Sequence, residues 1–569
     1  MKTVVSIITI ALFLISCSDE PIDYADKIYQ NGTIITMDDS NPLAAALATK
    51  NGLIQAVGTK EAIQKLKGPE TEVVDLADKT LVPGFIDAHS HFAGVGVQSI
   101  VANLLPAPDG PVNSIEDLQR VLKEFHQNSS IAKYYGVSLG FNYDDSQLKE
   151  QRHPTLQELD VVSTELPVVV MHQSGHLGAY NSKALELMGV TSESVNPPGG
   201  VIEREADGKT PSGVMQENAH FMLFFKLLPQ FSAEDMVKSY QAGEHSYVSN
   251  GFTTVQEGKS DLATLQSLPQ IAAEVGFSID IISYPDFKVL SDHAILRSDL
   301  MSSEYQNGFR IGGVKLTFDG SPQGKTAWFT EPYLVPPAGQ SADYAGYPAF
   351  DDKDAYDLLQ LAYQNNWQIM VHTNGDAAVD QLLQLVGKIA EERALGDHRT
   401  VMIHGQFTRE DQVAQLKALG IFPALYPMHT FYWGDWHRDS VAGPERANNI
   451  SPTGWMLREN IKFSVHSDAP VTFPNSMRLL DSVVNRTTRT DQVLGQEHRV
   501  TPMQALKAMT IWPAYQHYEE KIKGSLEVGK QADFVILDRD PLTIEHRELK
   551  NIKVLQTINN DQLIYDADS

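Results

Sequence analysis

Short apolar runs that end on polar residues recur through the middle of the chain, at 84–88, 252–256, 279–284, 313–318, 368–372, 401–404, 421–425 and 462–466. They are too short for core helices and too continuous for half-exposed strands, so they read as strands buried on both faces of a parallel sheet. Helix-period stretches follow them. Eight βα-like units predict an α/β chain built on a (β/α)8 TIM-like barrel. A doubly wound sheet is the alternative, but no Gly-rich phosphate loop follows any of these strands. Residues 100–249, between the first and second runs, are far too many for a loop. They predict an inserted α/β subdomain after the first barrel strand, with strands at 135–139 and 166–172 and helices at 114–125 and 232–248.

The two ends of the chain carry a different pattern. Hairpin-like β runs surround Asn31-Gly32 and Asn51-Gly52, a third covers 72–82, and the same style returns at 532–537, 552–558 and 562–565. Both ends are therefore expected to pair into one small β-sandwich from 27–80 and 520–569, leaving 81–99 and 250–519 for the barrel. Before these runs, Lys2 precedes an apolar stretch from Val4 to Ile15, too short to span a bilayer and suited to a signal peptide over 1–16. Cys17 is the only cysteine, which excludes internal disulfides and thiolate metal sites. Leu14-Ile15-Ser16-Cys17 resembles the bacterial lipoprotein box. The resemblance implies lipidation of Cys17, a tether over 17–26, and an exported chain facing the periplasm or the cell surface. Ser18, rather than aspartate, after the cysteine favours an outer-membrane anchor.

Composition narrows the function. With 42 % hydrophobic and 21 % charged residues the chain is globular, and a formal net charge of −27 repels phosphate backbones and anionic bilayers. Nucleic acid is excluded as a partner, and a membrane is expected only through the lipid. The expected partner is a small-molecule substrate; a homodimer stays open.

Candidate chemistry gathers at the ends of the apolar runs, where a barrel places its active site. In Asp87-Ala88-His89-Ser90-His91 two imidazoles stand at i and i+2, on one side of a strand. His372 and His404 close two further runs, and Asp468 follows Val465-His466-Ser467. Imidazole and carboxylate donors suit a borderline divalent cation such as zinc, with a position left open for water. Taken singly, each of the 18 histidines reads as a core or surface residue; four at the ends of apolar runs in one order do not. Lys315, inside Gly313-Val314-Lys315-Leu316, reads on spacing alone as a lysine reaching for solvent or paired with Asp319.

The ordered set Pro83-Gly84-Phe85-Ile86-Asp87-Ala88-His89-Ser90-His91, Gly251-Phe252-Thr253-Thr254-Val255, Lys315, His372, His404 and Ser467-Asp468-Ala469-Pro470 resembles the amidohydrolase superfamily. Gly175-His176-Leu177-Gly178-Ala179-Tyr180-Asn181-Ser182, Asp319-Gly320-Ser321 and His372-Thr373-Asn374-Gly375-Asp376 resemble its family 3 branch, which includes N-substituted formamide deformylases. The resemblance implies that His89 and His91 bind a first metal, that Lys315 is N-carboxylated and bridges to a second, that His372 and His404 complete that second site, and that Asp468 binds metal and handles the proton. One or two zinc ions are expected. The implied reaction is hydrolysis of non-peptide C–N bonds in small amides, formamides or cyclic amides by metal-activated water. Hydrolysis of an ester or C–halogen bond on the same site, or an inactive solute-binding lipoprotein, are the alternatives. His176, Asn181, Glu217 and His429 are candidates for the substrate pocket, against readings as a helix cap, a turn or a surface histidine. Ser174 stands where the branch commonly has aspartate, and Gln323-Gly324-Lys325 where it has an arginine-bearing turn, so specificity is open.

Overall fold

The computed structural model describes residues 23–568 apart from 289, 291, 292 and 338; the signal-peptide and Cys17 expectations lie outside the described residues. Parallel strands Phe85–Ile86, Phe252–Ser260, Asp280–Pro285 and Phe309–Ile311 form one sheet, and Gly313–Thr317, Gln368–Thr373, Val401–His404, Phe422–Leu425 and Ser464–Val465 form another. Each of the eight runs overlaps one of these strands. Gly312 links the sheets: its N–H donates to the Ser283 carbonyl at 2.9 Å, and the Phe287 N–H donates to the Lys315 carbonyl at 2.9 Å. A Cβ there would lie 2.7 Å from the Tyr284 hydroxyl, so only glycine fits. The last strand comes back beside the first, where the Asp468 N–H donates to the His89 carbonyl at 3.2 Å and the His91 N–H to the Ala469 carbonyl at 2.7 Å.

The arrangement is TIM-barrel-like. Every residue of Gln368–Thr373 and Val401–His404 is buried, which is why these strands read as continuous apolar runs. Helix Asp376–Glu392 covers them with Ala378, Leu382, Val386 and Ile389, one buried stripe at helical spacing.

Residues between the first and second strands build their own six-stranded sheet, in the order Gly200–Arg204, Pro211–Glu217, Leu177–Tyr180, Val168–His172, Ser138–Tyr143, Ala102–Asn103. The strand expected at 135–139 is displaced. Tyr135 ends helix Ser130–Tyr135, Gly136 stops it at φ 67°, and the strand begins at Ser138. One edge of this unit grips the loop after Asp468: Gln173 Nε2 donates to the Val471 carbonyl at 2.8 Å, and the Asn142 amide donates to the Pro470 carbonyl.

The chain ends meet as expected, but as one hydrogen-bonded sheet of eight strands rather than two packed sheets. Strand Lys27–Ile35 is the reason. A register shift between Gln30 and Ile34 lets its first half pair with Glu72–Asp75 and its second half with Thr80–Pro83, which bends the sheet without dividing it.

Candidate metal centre

Strands Phe85–Ile86, Gly313–Thr317, Gln368–Thr373, Val401–His404 and Ser464–Val465, with the residues that follow them, converge on one buried group. His89 Nδ1–H donates to Gln256 Oε1 at 2.5 Å, which fixes the ring and leaves Nε2 facing inward, 2.9 Å from Lys315 Nζ and 3.4 Å from Asp468 Oδ1. His91 Nε2 lies 3.3 Å from the same carboxylate oxygen, and His404 Nε2 lies 3.9 Å from Oδ2. The His372 ring packs edge-on to His404 with centroids 4.5 Å apart, and its Nδ1 lies 3.3 Å from Asp319 Oδ1. His404 and Asp468 hold their side chains on left-handed backbone, at φ 70° and 53°. Such non-glycine conformations cost about 1–3 kcal/mol each and cluster where side-chain aim matters.

Electrostatics select the neutral imidazoles that bind cations. Burial, followed by the nearby Lys315 for His89, by His176 and Lys315 for His372, and by His372 for His404, holds all three well below the ordinary histidine range. Burial likewise brings Lys315 down to about 7, against the pull of Asp468. Lys315 is 1 % exposed and Asp319 turns to His372 and to backbone N–H groups, so neither the solvent-reaching lysine nor the Lys315–Asp319 pair is present. The donor set fits a divalent cation: His89, His91 and Asp468 offer ligand atoms within 4.8 Å of one another, and among the described residues the buried Asp468 Oδ1 has no hydrogen-bond partner.

The pocket candidates separate. His176 and Glu217 come from the inserted unit to the site, joined at 3.0 Å, with the His176 ring 5.4 Å from that of His372. Asn181 does not line it. Its Oδ1 caps helix Ser182–Met188 at the Ala184 N–H and its amide donates to the Ser163 and Leu166 carbonyls, so the helix-cap reading holds. His429 is buried one layer back, behind Tyr426 and bonded to His437 at 2.9 Å. Two supporting residues, Gln256 and His466, were not singled out from the sequence, and Asp319 was read there as a partner for Lys315 and part of a family motif rather than as a support for His372. His466 lies two residues before Asp468, stacks on Tyr426 at 4.8 Å, and stands 5.0 Å from the His404 ring, its pKa brought down to about 3 by burial. Its position at i−2 of an inward carboxylate on a strand was the available signal.

Comparison with known proteins agrees with this geometry. The model of the amidohydrolase family matches residues 72–565. The chain is 26 % identical over 553 residues to an N-substituted formamide deformylase of Arthrobacter pascens, covering 95 % of this chain and 98 % of that one. It is 24 % identical over 545 residues to the putative amidohydrolase YtcJ of Bacillus subtilis (strain 168), covering 95 % and 99 %. A crystal structure of an uncharacterized metal-dependent hydrolase from Pyrococcus horikoshii OT3 shares the fold, with a TM-score of 0.70 at 23 % identity over 92 % of this chain and 99 % of that one. The chain belongs to the amidohydrolase family and is a hydrolase acting on carbon–nitrogen bonds.

Proposed function

We propose that the protein hydrolyses non-peptide C–N bonds of small amides, formamides or cyclic amides, with one or two zinc ions held by His89, His91, His372, His404 and Asp468. The observation that carries the reading is the convergence of Asp468 on three imidazoles, two that follow strand Phe85–Ile86 and one that ends strand Val401–His404. A bound divalent cation would bring the pKa of water toward neutrality and polarise the substrate carbonyl.

This chain's own residues do the rest. Asp468 Oδ1, buried and without a hydrogen-bond donor, is placed to take a proton from the attacking water and return it to the departing nitrogen. Gln256 and Asp319 hold His89 and His372 in orientation. The loop after Asp468, tied down by Gln173 and Asn142, keeps that carboxylate aimed. Among the described residues Lys315 has no carboxylate within ion-pair distance, and its Nζ lies 2.9 Å from His89 Nε2. In this reading its amine would add to carbon dioxide with loss of one N–H proton, and the resulting carbamate would supply an anionic oxygen ligand for a divalent cation.

Asp468→Asn tests the reading. With a panel of N-substituted formamides, kcat is expected to fall about 10²–10⁴-fold, while thermal unfolding stays close to the wild type. Undiminished turnover in this variant would remove Asp468 from the proton path.

We also propose that the protein is exported and lipid-anchored through Cys17.

A further inference from the structure

The inserted unit does more than cover the core; it delivers a second polar pair to the metal centre. His176 Nδ1 lies 3.1 and 3.0 Å from the two Glu217 carboxylate oxygens. The side chains are only 13 % and 12 % exposed. Glu217 closes strand Pro211–Glu217 at φ 50°, ψ −125°, a backbone conformation that side-chain-bearing residues avoid, and its N–H donates to the His176 carbonyl at 2.7 Å. Strain of this kind persists where the surroundings over-determine it and marks functional positions. The opposite wall has been kept clear for the carboxylate: a Cβ on Gly320, in the loop after the Lys315 strand, would stand 2.4 Å from Glu217 Oε1.

The chemistry of the pair fixes what it offers. A carboxylate only accepts, so the hydrogen shared with Glu217 sits on His176 Nδ1, and in the neutral ring the Nε2 lone pair is then left as an acceptor. Among the described residues Nε2 has no hydrogen bond, and the ring lies 5.4 Å from that of His372. Asp468 meets the centre elsewhere, beside His89, His91 and His404. Asp468 and His176 therefore reach the same centre from different elements, Asp468 beside His89, His91 and His404 and His176 beside His372.

We propose that His176, oriented by Glu217, accepts a hydrogen bond from the N–H of the scissile amide, so that the enzyme selects secondary amides and formamides over tertiary amides and esters. The inference rests on the C–N hydrolysis proposed above. Glu217 is a positioning residue; His176 touches substrate.

The test compares kcat/KM for an N-alkyl formamide and its N-methylated counterpart. The wild type should prefer the N–H compound by about 100-fold or more, because a site built to bond a substrate N–H rejects an analogue lacking it. His176→Phe, which keeps the ring volume and removes the acceptor, should bring the ratio within about tenfold, with metal content unchanged by elemental analysis. Glu217→Leu should do the same, and Glu217→Gln, which keeps a carbonyl acceptor for Nδ1–H, should restore most of the preference. A ratio that His176→Phe leaves intact, or Glu217→Leu if that variant alone folds, would mean that the N-methyl group is excluded by shape, and the proposal is overturned while C–N hydrolysis stands. If the wild type hydrolyses neither compound nor any other amide, the hydrolysis reading fails and this proposal with it.

Discussion

Asp319 shows how much of the site depends on residues that carry no chemistry of their own. Its carboxylate accepts the N–H groups of Asn374 at 2.8 Å, Gly375 at 2.7 Å and Trp328 at 3.1 Å while standing 3.3 Å from His372 Nδ1. One buried side chain thus ties the loop after Gly313–Thr317 to the loop after Gln368–Thr373 and orients the His372 imidazole. Asp319→Asn leaves one acceptor oxygen and brings N–H hydrogens against backbone donors. A stability loss of about 1–3 kcal/mol is expected, with metal affinity lowered about 10–100-fold. Thermal unfolding and metal content after dialysis against a weak chelator check both, and wild-type metal retention would end the orienting role. The five donors His89, His91, His372, His404 and Asp468 were legible in the sequence because strand register converts spacing into position. Asp319, Gln256 and the ring of His466 were not, because their meaning lies in a partner on another strand: Gln256 matters only once His89, 167 residues away, is seen to donate to it. Asn181 misled for the opposite reason. Its local signal, an amide just before a helix, was complete in itself and was satisfied by that helix.

At the level of elements, strands that feed the site were readable and those of the insertion largely were not. Buried parallel strands announce themselves as apolar runs, whereas Leu177–Tyr180 and Ala102–Asn103 are too short, and Gly200–Arg204 too polar, to stand out from loops. The end of the core opposite the metal centre is closed by a segment with no sequence signature at all, around residues 516–523. Gln516 Nε2 donates to the Ala88 carbonyl at 2.7 Å, and Glu519 Oε1 accepts from Arg310 Nη2 at 3.0 Å and from the Tyr305 hydroxyl at 2.6 Å. Lys523 adds a contact to Asp280 at 2.5 Å. Burial would raise the Glu519 carboxyl, but Lys523 and Arg310 overcome it and hold the group down at about 2. A depressed carboxylate pKa means stability that is fully present above the unfolded value near 4.5 and is lost as pH falls toward 2. Glu519→Gln leaves the Arg310 guanidinium buried without its counter-charge and should cost about 3–5 kcal/mol at neutral pH. Urea unfolding of both proteins checks it: the gap between wild type and variant should narrow steadily from pH 5 to pH 2, and a gap that does not change over that range would show that the charge of Glu519 contributes nothing.

On the scale of the whole molecule, the terminal sheet ties the beginning of the described chain to its end. Asp561 accepts from the Tyr29 hydroxyl at 2.7 Å and from the Thr49 hydroxyl at 2.8 Å, contacts across more than 500 residues, and Thr557 Oγ1 donates to the Val248 carbonyl at 2.6 Å where the sheet meets the core. Both ends of the described chain therefore belong to one unit. Among the described residues no helix is long and apolar enough to cross a bilayer, and a net charge of −27 gives the protein no electrostatic attraction to an anionic lipid surface. The proposed membrane attachment is the lipid at Cys17, where acyl chains would contribute about 0.8 kcal/mol per buried CH₂ and more than one chain is needed for a stable hold. Replacing the thiol removes the attachment point without touching the fold. Cys17→Ala expressed in a Gram-negative host should move the protein from the membrane fraction to the soluble fraction with its metal content and turnover of formamides intact. Fractionation identical to the wild type would show that Cys17 is not what holds the protein at the membrane.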